Sequence, residues 1–231
     1  MGPLYKFDSV QSEDGQQVYS FVLNAGQIRL LQVASRAEKD AVIDLALGRL
    51  VCNNGSIEFA QGERRHRQQA VPTGQERRHN SQPLPVIWRK LMPGLASNVA
   101  WVAAQGGLIS NLKVWENITL PLWYASRRDV DATEKELVYW LEIMGLPHDM
   151  FAEFMAAPPY RLEMWQRKFA GLLRALLHPA KVMVVDATVF EEVEQSLVNR
   201  WAAALDAYAA QSRTVLVVSD KAMALPWEKI E

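Results

Sequence analysis

The sequence has almost no cysteine and no long apolar run, and its charges nearly cancel. Cys52 is the one cysteine among 231 residues, so an internal disulfide is excluded and a reducing compartment is indicated. No apolar stretch approaches the ~18 residues of a membrane span, and Met1–Asp8 lacks the apolar segment of a signal peptide. A net charge of −1 gives no general attraction to nucleic acid or to an anionic membrane. We therefore expect a protein that reaches a membrane only through a partner.

The composition and the order of apolar segments predict one α/β domain over residues 1–231. Hydrophobic residues make up 49% and charged residues 22%, which is ordinary for a globular protein. Predominantly apolar strands at 28–33, 182–185 and 214–218 alternate with helical patterns, which is typical of a parallel sheet covered on both faces. The strands at 4–7 and 18–23 follow each other without a helix and predict an N-terminal antiparallel portion.

Two further regions complete the predicted organisation. Helical spacing dominates residues 108–178, which we interpret as a helical subdomain. Residues 63–83 are rich in arginine, histidine and glutamine and have almost no apolar residues. A solvated, poorly ordered loop is the favoured interpretation, with a nucleic-acid or lipid-headgroup patch as the alternative; interleaved aromatics for single-stranded nucleic acid are absent.

Glycine is missing where the first parallel strand meets its helix, which we expect at Ala41–Leu47. A phosphate-binding loop of pattern G-x-x-x-x-G-K-[ST] needs glycine so that successive backbone N–H groups can converge on an anion. Residues 33–40 read VASRAEKD and retain only the lysine, Lys39. Glu38 and Asp40 add negative charge beside it. We therefore expect that this segment forms no anion-binding nest and that Lys39 pairs with a carboxylate, with Asp186 as the main candidate.

The order of landmarks along the chain resembles the nucleotide-binding domain of ABC transporters, and P-loop NTPases more broadly. The most specific match, residues 107–118 (GLISNLKVWENI), resembles the start of the helical subdomain in bacterial importers and in lipid-trafficking systems of the Mla/MCE kind. The other landmarks keep the family's order and spacing: Gln105 at the Q-loop, Leu162–Arg167 at the signature, Arg174–Pro179, Val182–Asp186 as a Walker B strand, and Val217–Asp220 as the switch strand.

This resemblance implies a vestigial nucleotide site. The residues at nucleotide-binding positions are Lys39, Asp40, Gln105, Gln166 and Asp186. The position of the general base holds Ala187, the position of the switch histidine holds Asp220, and Glu163-Met164-Trp165 replaces the serine and glycines of the signature. We therefore expect no catalytic residue, no cofactor and no metal ion, and hence a pseudo-ATPase.

Each retained residue also has a purely structural explanation. Gln105 and Gln166 are polar residues at the ends of elements and could serve solubility alone. Asp186 could cap the turn after its strand. Lys39 could form an ordinary ion pair with Glu38, Asp40 or Asp186.

The leading hypothesis for function is a non-catalytic subunit of a bacterial membrane transport complex. The resemblance implies a permease partner, and also an intact ABC ATPase or a second copy of this chain. It places the protein in the cytoplasm at the inner face of the inner membrane, with lipid trafficking as the nearest setting. The candidate docking residues lie near 105–116 and just beyond: Trp115, Leu120, Leu122, Trp123 and Tyr124. The same residues could instead pack the helical subdomain.

Two alternatives remain open. In a divergent, slow ATPase, Asp40 and Asp186 would hold the magnesium of Mg-ATP, and Asp220 or a partner's carboxylate would position water. In a regulatory domain, the vacated pocket would sense another ligand. No nucleic-acid partner is expected in any of these cases.

Overall fold

The structure is a computed structural model that describes residues 3–11, 17–61, 87–90, 99–125 and 130–230. The interpretation of residues 63–83 as a solvated loop lies outside these residues.

A five-stranded parallel sheet forms the centre of the molecule, in the order β6-β7-β8-β3-β9. Val184 of β7 pairs with Leu216 of β8, and Leu30 of β3 pairs with Val217 of β8. Every residue of β7 and of β8 is buried, because both faces of the sheet are covered. The strands are β3 (Ile28–Gln32), β6 (Val99–Val102), β7 (Val182–Asp186), β8 (Thr214–Ser219) and β9 (Glu228–Lys229).

A four-stranded antiparallel sheet packs beside it, in the order β2-β1-β4-β5. Tyr5 and Phe7 of β1 are buried, and Phe7 stacks on Phe21 of β2 with ring centroids 4.5 Å apart. The strands are β1 (Pro3–Gln11), β2 (Val18–Asn24), β4 (Ser56–Gln61) and β5 (Ile87–Lys90).

Six α-helices are described, and four of them lie between β6 and β7. α5 packs against α2 and α3, and α3 also packs against α6. Trp140, Phe169 and Trp201 are fully buried among these helices. The helices are α1 (Arg36–Ala46), α2 (Val114–Ala125), α3 (Val130–Met144), α4 (Phe151–Ala156), α5 (Met164–Leu177) and α6 (Gln195–Ala210).

The predicted α/β fold class is confirmed, including the placement of residues 29–33 and 182–185 in one sheet. The helices α2 to α5 lie within the predicted subdomain range, 108–178. Among the described helices, none combines the length and the apolar character needed to cross a membrane.

Several element boundaries differ from the prediction. α1 begins at Arg36 rather than near Ala41, because the Ser35 hydroxyl caps it by accepting the N–H of Glu38 at 3.2 Å. α6 begins at Gln195, and residues 187–190 before it form a separate 3-10 turn. The short strands β5 and β9 were not predicted, because neither has a recognisable apolar pattern.

Candidate functional site

The carboxyl ends of three neighbouring parallel strands meet in front of the N-terminus of α1. Val33 follows β3, Asp186 ends β7 and Asp220 follows β8. The N–H of Val33 donates to the carbonyl of Ser219 at 2.8 Å, which holds the ends of β3 and β8 together. This edge is where ligands bind in open α/β sheets.

Lys39 of α1 occupies this edge and is held by three oxygen acceptors. Its Nζ lies 3.1 Å from Asp186 Oδ1, 3.0 Å from Asp220 Oδ1 and 2.6 Å from Thr188 Oγ1. An ammonium group has three protons to donate, so these contacts can satisfy all of them. Lys39 is only 3% exposed. The expected ion pair with Asp186 is present, and Asp220 adds a second one.

The pKa values of Lys39 and Asp220 follow from this arrangement. Burial is the largest influence on the pKa of Lys39 and lowers it, but hydrogen bonds and charges from Asp220 and Asp186 together leave that pKa raised. Burial raises the pKa of Asp220, and the bond to Lys39 together with smaller contributions outweighs it, so the pKa of Asp220 is lowered. Both groups are therefore charged at neutral pH.

The turn after β7 is fixed by a second buried lysine. The N–H of Thr188 donates to Asp186 Oδ1 at 3.0 Å, as in the capping role considered for that residue. Lys168 of α5 is 4% exposed, and its Nζ donates to the carbonyls of Thr188 at 3.3 Å and Glu191 at 2.6 Å. Burial lowers the pKa of Lys168.

A carboxylate of the chain itself lies at the N-terminus of α1, beside the Ser35 cap. Glu38 accepts the N–H of Ala34 at 2.8 Å and also accepts the hydroxyl of Tyr19, which reaches across from β2. Only residues 33–35 separate β3 from α1, and none of residues 33–40 has a positive φ. The backbone here lacks the left-handed residues with which a nest of N–H groups surrounds a phosphate.

The N-terminus of α5 also holds a carboxylate of the chain itself, that of Glu163. Glu163 and Gln166 form a reciprocal capping box, in which the N–H of Glu163 donates to Gln166 Oε1 at 2.9 Å. The indole N–H of Trp165 donates to Glu163 Oε2 at 2.7 Å. Gln166 therefore serves the local structure of α5, and a carboxylate already lies at the positive end of the helix dipole.

The loop after β6 is fastened to α5. Gln105 is exposed, whereas Gly106 is buried with φ at +82°. Arg174 donates to the carbonyls of Gly106 at 3.0 Å and Gly107 at 2.8 Å. A Cβ on Gly171 of α5 would lie 2.4 Å from the Cα of Gly106, so the two backbones touch.

The candidate docking residues on α2 divide between surface and core. Trp123 is 74% exposed and Trp115 is 42% exposed, whereas Leu120 is half-buried. Leu122 is only 4% exposed and packs in the core, so its candidacy as a surface contact is wrong. The side chain of Tyr124 lies outside the part of the chain that the structure describes.

Asp40 is exposed on α1, away from the three acceptors of Lys39, and Ala187 is buried at the start of the turn after β7. Of the predicted nucleotide-binding residues, the structure brings together Lys39 and Asp186 but does not join Asp40, Gln105 or Gln166 to them. Within the described residues, no cluster of three or more His, Cys, Asp or Glu side chains could hold a metal ion.

Three contributors to the site were missed by sequence reasoning: Tyr19, Lys168 and Thr188. Each lies on an element distant in sequence from Lys39, so only the assembled sheet brings them close. For Lys168, the sequence offered one signal: a lysine among the apolar positions of an amphipathic helix.

Comparison with solved structures identifies the architecture. An ATP-binding subunit of an ABC transporter superposes with a TM-score of 0.70 at 13% identity, over 94% of this chain and 79% of that one. The chain has the fold of ABC transporter ATP-binding subunits. The same fold is found in cbiO1 from Clostridium perfringens, part of the cbiONQ transporter complex, with a TM-score of 0.64 at 15% identity over 96% of this chain and 80% of that one.

A dimeric ATP-binding cassette, solved in a post-hydrolysis state with ADP and Pi, matches with a TM-score of 0.65 at 16% identity, over 94% of this chain and 88% of that one. No family model matches the sequence, and no curated protein shows significant sequence similarity to it. These identities are low, so the similarity establishes the ABC ATP-binding fold and not an activity.

Proposed function

We propose that this chain is a catalytically inactive subunit of a membrane transport complex, in which an ABC ATP-binding fold serves as a structural or regulatory partner. The observation that carries the proposal is the pairing of Lys39 with Asp186 and Asp220. A lysine that binds phosphate must have donors to offer, and this one gives its donors to the protein's own oxygens.

The two helix N-termini support the same conclusion. Glu38 accepts at the start of α1, and Glu163 accepts at the start of α5. A triphosphate entering either place would meet a carboxylate, and two unit charges 4 Å apart repel by about 4 kcal/mol at an effective dielectric constant of 20. The residues present therefore do not fit Mg-ATP, and no hydrolytic step is assigned to them.

The surface of α2 supports docking to a membrane partner. Trp115 and Trp123 are eight positions apart on one helix, a spacing that puts both on one side of it, and both are exposed. Tryptophan is enriched in protein interfaces. The solved structures with this fold include one that is part of a transporter complex and one that is a dimer, which is the setting we propose here: a permease, together with an intact ABC ATPase or a second copy. The part of the proposal that concerns lipid trafficking rests on residues 107–118 alone.

Calorimetry with Mg-ATP tests the inactive state. The purified chain should show no heat of binding up to millimolar nucleotide, while an intact ATP-binding subunit of the same fold serves as the positive control. A micromolar dissociation constant would overturn the proposal and favour the divergent ATPase.

Co-purification with a candidate permease tests the docking role. Trp123→Ala should reduce recovery of the permease, since it removes an aromatic side chain of α2 that is 74% exposed. Tyr139→Ala is the matched control, because Tyr139 is an exposed aromatic residue on α3 (44%). Equal recovery with both variants would exclude docking through this face of α2.

A further inference from the structure

Thr188 is bonded through all of its polar groups to three different elements. Its hydroxyl oxygen accepts from Lys39 of α1 at 2.6 Å, and its N–H donates to Asp186 of β7 at 3.0 Å. Its carbonyl accepts from Lys168 of α5 at 3.3 Å. One residue therefore joins the helix beside the vestigial site, the central sheet and the helical layer.

Burial makes these contacts costly to break. Lys39 is 3% exposed and Lys168 is 4% exposed, so neither ammonium group can exchange its protein acceptors for water without a local opening. Burial lowers the pKa of Lys168, and the two carbonyls that it contacts take the place of water as acceptors of its ammonium group.

A second fastening holds α5 further along its length. Arg174 donates to the carbonyls of Gly106 and Gly107, and Gly171 leaves no room for a Cβ against Gly106. Because α2 packs on α5, an element that fixes α5 also fixes the face that carries Trp115 and Trp123.

We propose that Lys39, Thr188 and Lys168 form a clamp that couples α1 to α5 and holds the helical layer in one orientation without nucleotide. The biological role of the clamp rests on the proposed function, in which the α2 face must be presented constantly to a partner. The existence of the clamp does not depend on the proposed function, because it can be tested on the chain alone, without nucleotide or partner.

Hydrogen exchange of the purified chain tests the clamp. Thr188→Val keeps the shape and the backbone groups of Thr188 but removes its hydroxyl, one of the three acceptors of Lys39. The amides of α5 should then exchange at least about tenfold faster relative to those of β8, which report opening of the core. Thr188→Ser is the matched control, since it keeps the hydroxyl, and it should leave this ratio unchanged.

A double-mutant cycle of Lys39→Met and Lys168→Met gives an independent measure. The unfolding equilibrium constant of the double variant should differ from the product of the single effects by about fivefold or more, as for residues of one hydrogen-bond network. If Thr188→Val does not fold, Lys168→Met read at the amides of α1 gives the reciprocal measurement. Additive effects within about twofold, with no selective change in α5 or α1, would overturn the clamp and leave the inactive-subunit proposal untouched.

Discussion

Replacing Lys39 by methionine removes the one cation that lies between Asp186 and Asp220. The two carboxylates then face each other with side-chain exposures of only 10% and 14%, and Thr188 loses a donor. Breaking a buried ion pair from one side costs about 3–5 kcal/mol. Because both acids keep some contact with water, we expect the lower end, about 3 kcal/mol, or a melting temperature lower by roughly 6–12 °C for a domain of this size.

Urea unfolding at pH 7 followed by tryptophan fluorescence measures this loss. Lys181→Met is the control, since Lys181 is exposed, and it should change stability by no more than about 0.5 kcal/mol. The pH dependence supplies a further check. The pKa of Asp220 is lowered from 3.8, so its stabilising contribution is present above that pH and is lost as the pH falls through the folded-state value. The gap between wild type and Lys39→Met should therefore narrow in acid.

Equal stability of Lys39→Met and wild type at pH 7 would refute this reasoning. It would mean that the two carboxylates do not depend on Lys39, and the lysine would then be free to serve a ligand.

Three other outcomes are expected. Ala187→Glu places an acid where the resemblance to ABC ATP-binding subunits implies a general base. It should give no ATP hydrolysis in a phosphate-release assay, because we expect nucleotide binding to fail first; measurable turnover would contradict this. Burial is the main cause that lowers the pKa of His178 from 6.5 to about 4, and two nearby arginines add to it. The free energy of unfolding should therefore decrease as the pH falls from 6.5 to about 4, because only the unfolded chain takes up the proton in this range. His178→Asn should flatten this dependence in thermal melts, and an unchanged dependence would contradict the role given to His178. Gly171→Ala should destabilise by about 1–3 kcal/mol through its contact with Gly106, and an increase in stability, the usual result of Gly→Ala in a helix, would show that the two backbones can separate.

Local sequence pattern was enough to predict the central elements of the fold. The strands β7 and β8 are largely apolar and buried at every position, and β3 contributes the buried pair Leu30 and Leu31. A sheet covered on both faces is the arrangement that such runs favour. The start of α1 was missed because apolar spacing begins at Ala41, whereas the cap that starts the helix is the single hydroxyl of Ser35.

The candidate site was predicted only in part. The contact between Asp186 and Lys39 could be predicted because Asp186 ends one parallel strand and the helix of Lys39 follows another. The carboxyl ends of such strands share one edge of the sheet. The contacts of Thr188 and Lys168 could not be predicted, since they depend on how the turn after β7 meets α5. Leu122 was misjudged because α2 is apolar on more than one side, so composition does not separate its buried face from its exposed one.

The sharing of Lys39 by two acids also bears on how readily a chain with this arrangement could acquire an anion site by single substitutions. Replacing Asp220 alone leaves the lysine held by Asp186 and Thr188, so stability falls and no anion site opens. Replacing Glu38 alone removes the acceptor of the Ala34 N–H, but the Ser35 cap of α1 stays, and only residues 33–35 remain to form a loop. Each of these single substitutions is thus expected to cost stability without opening an anion site.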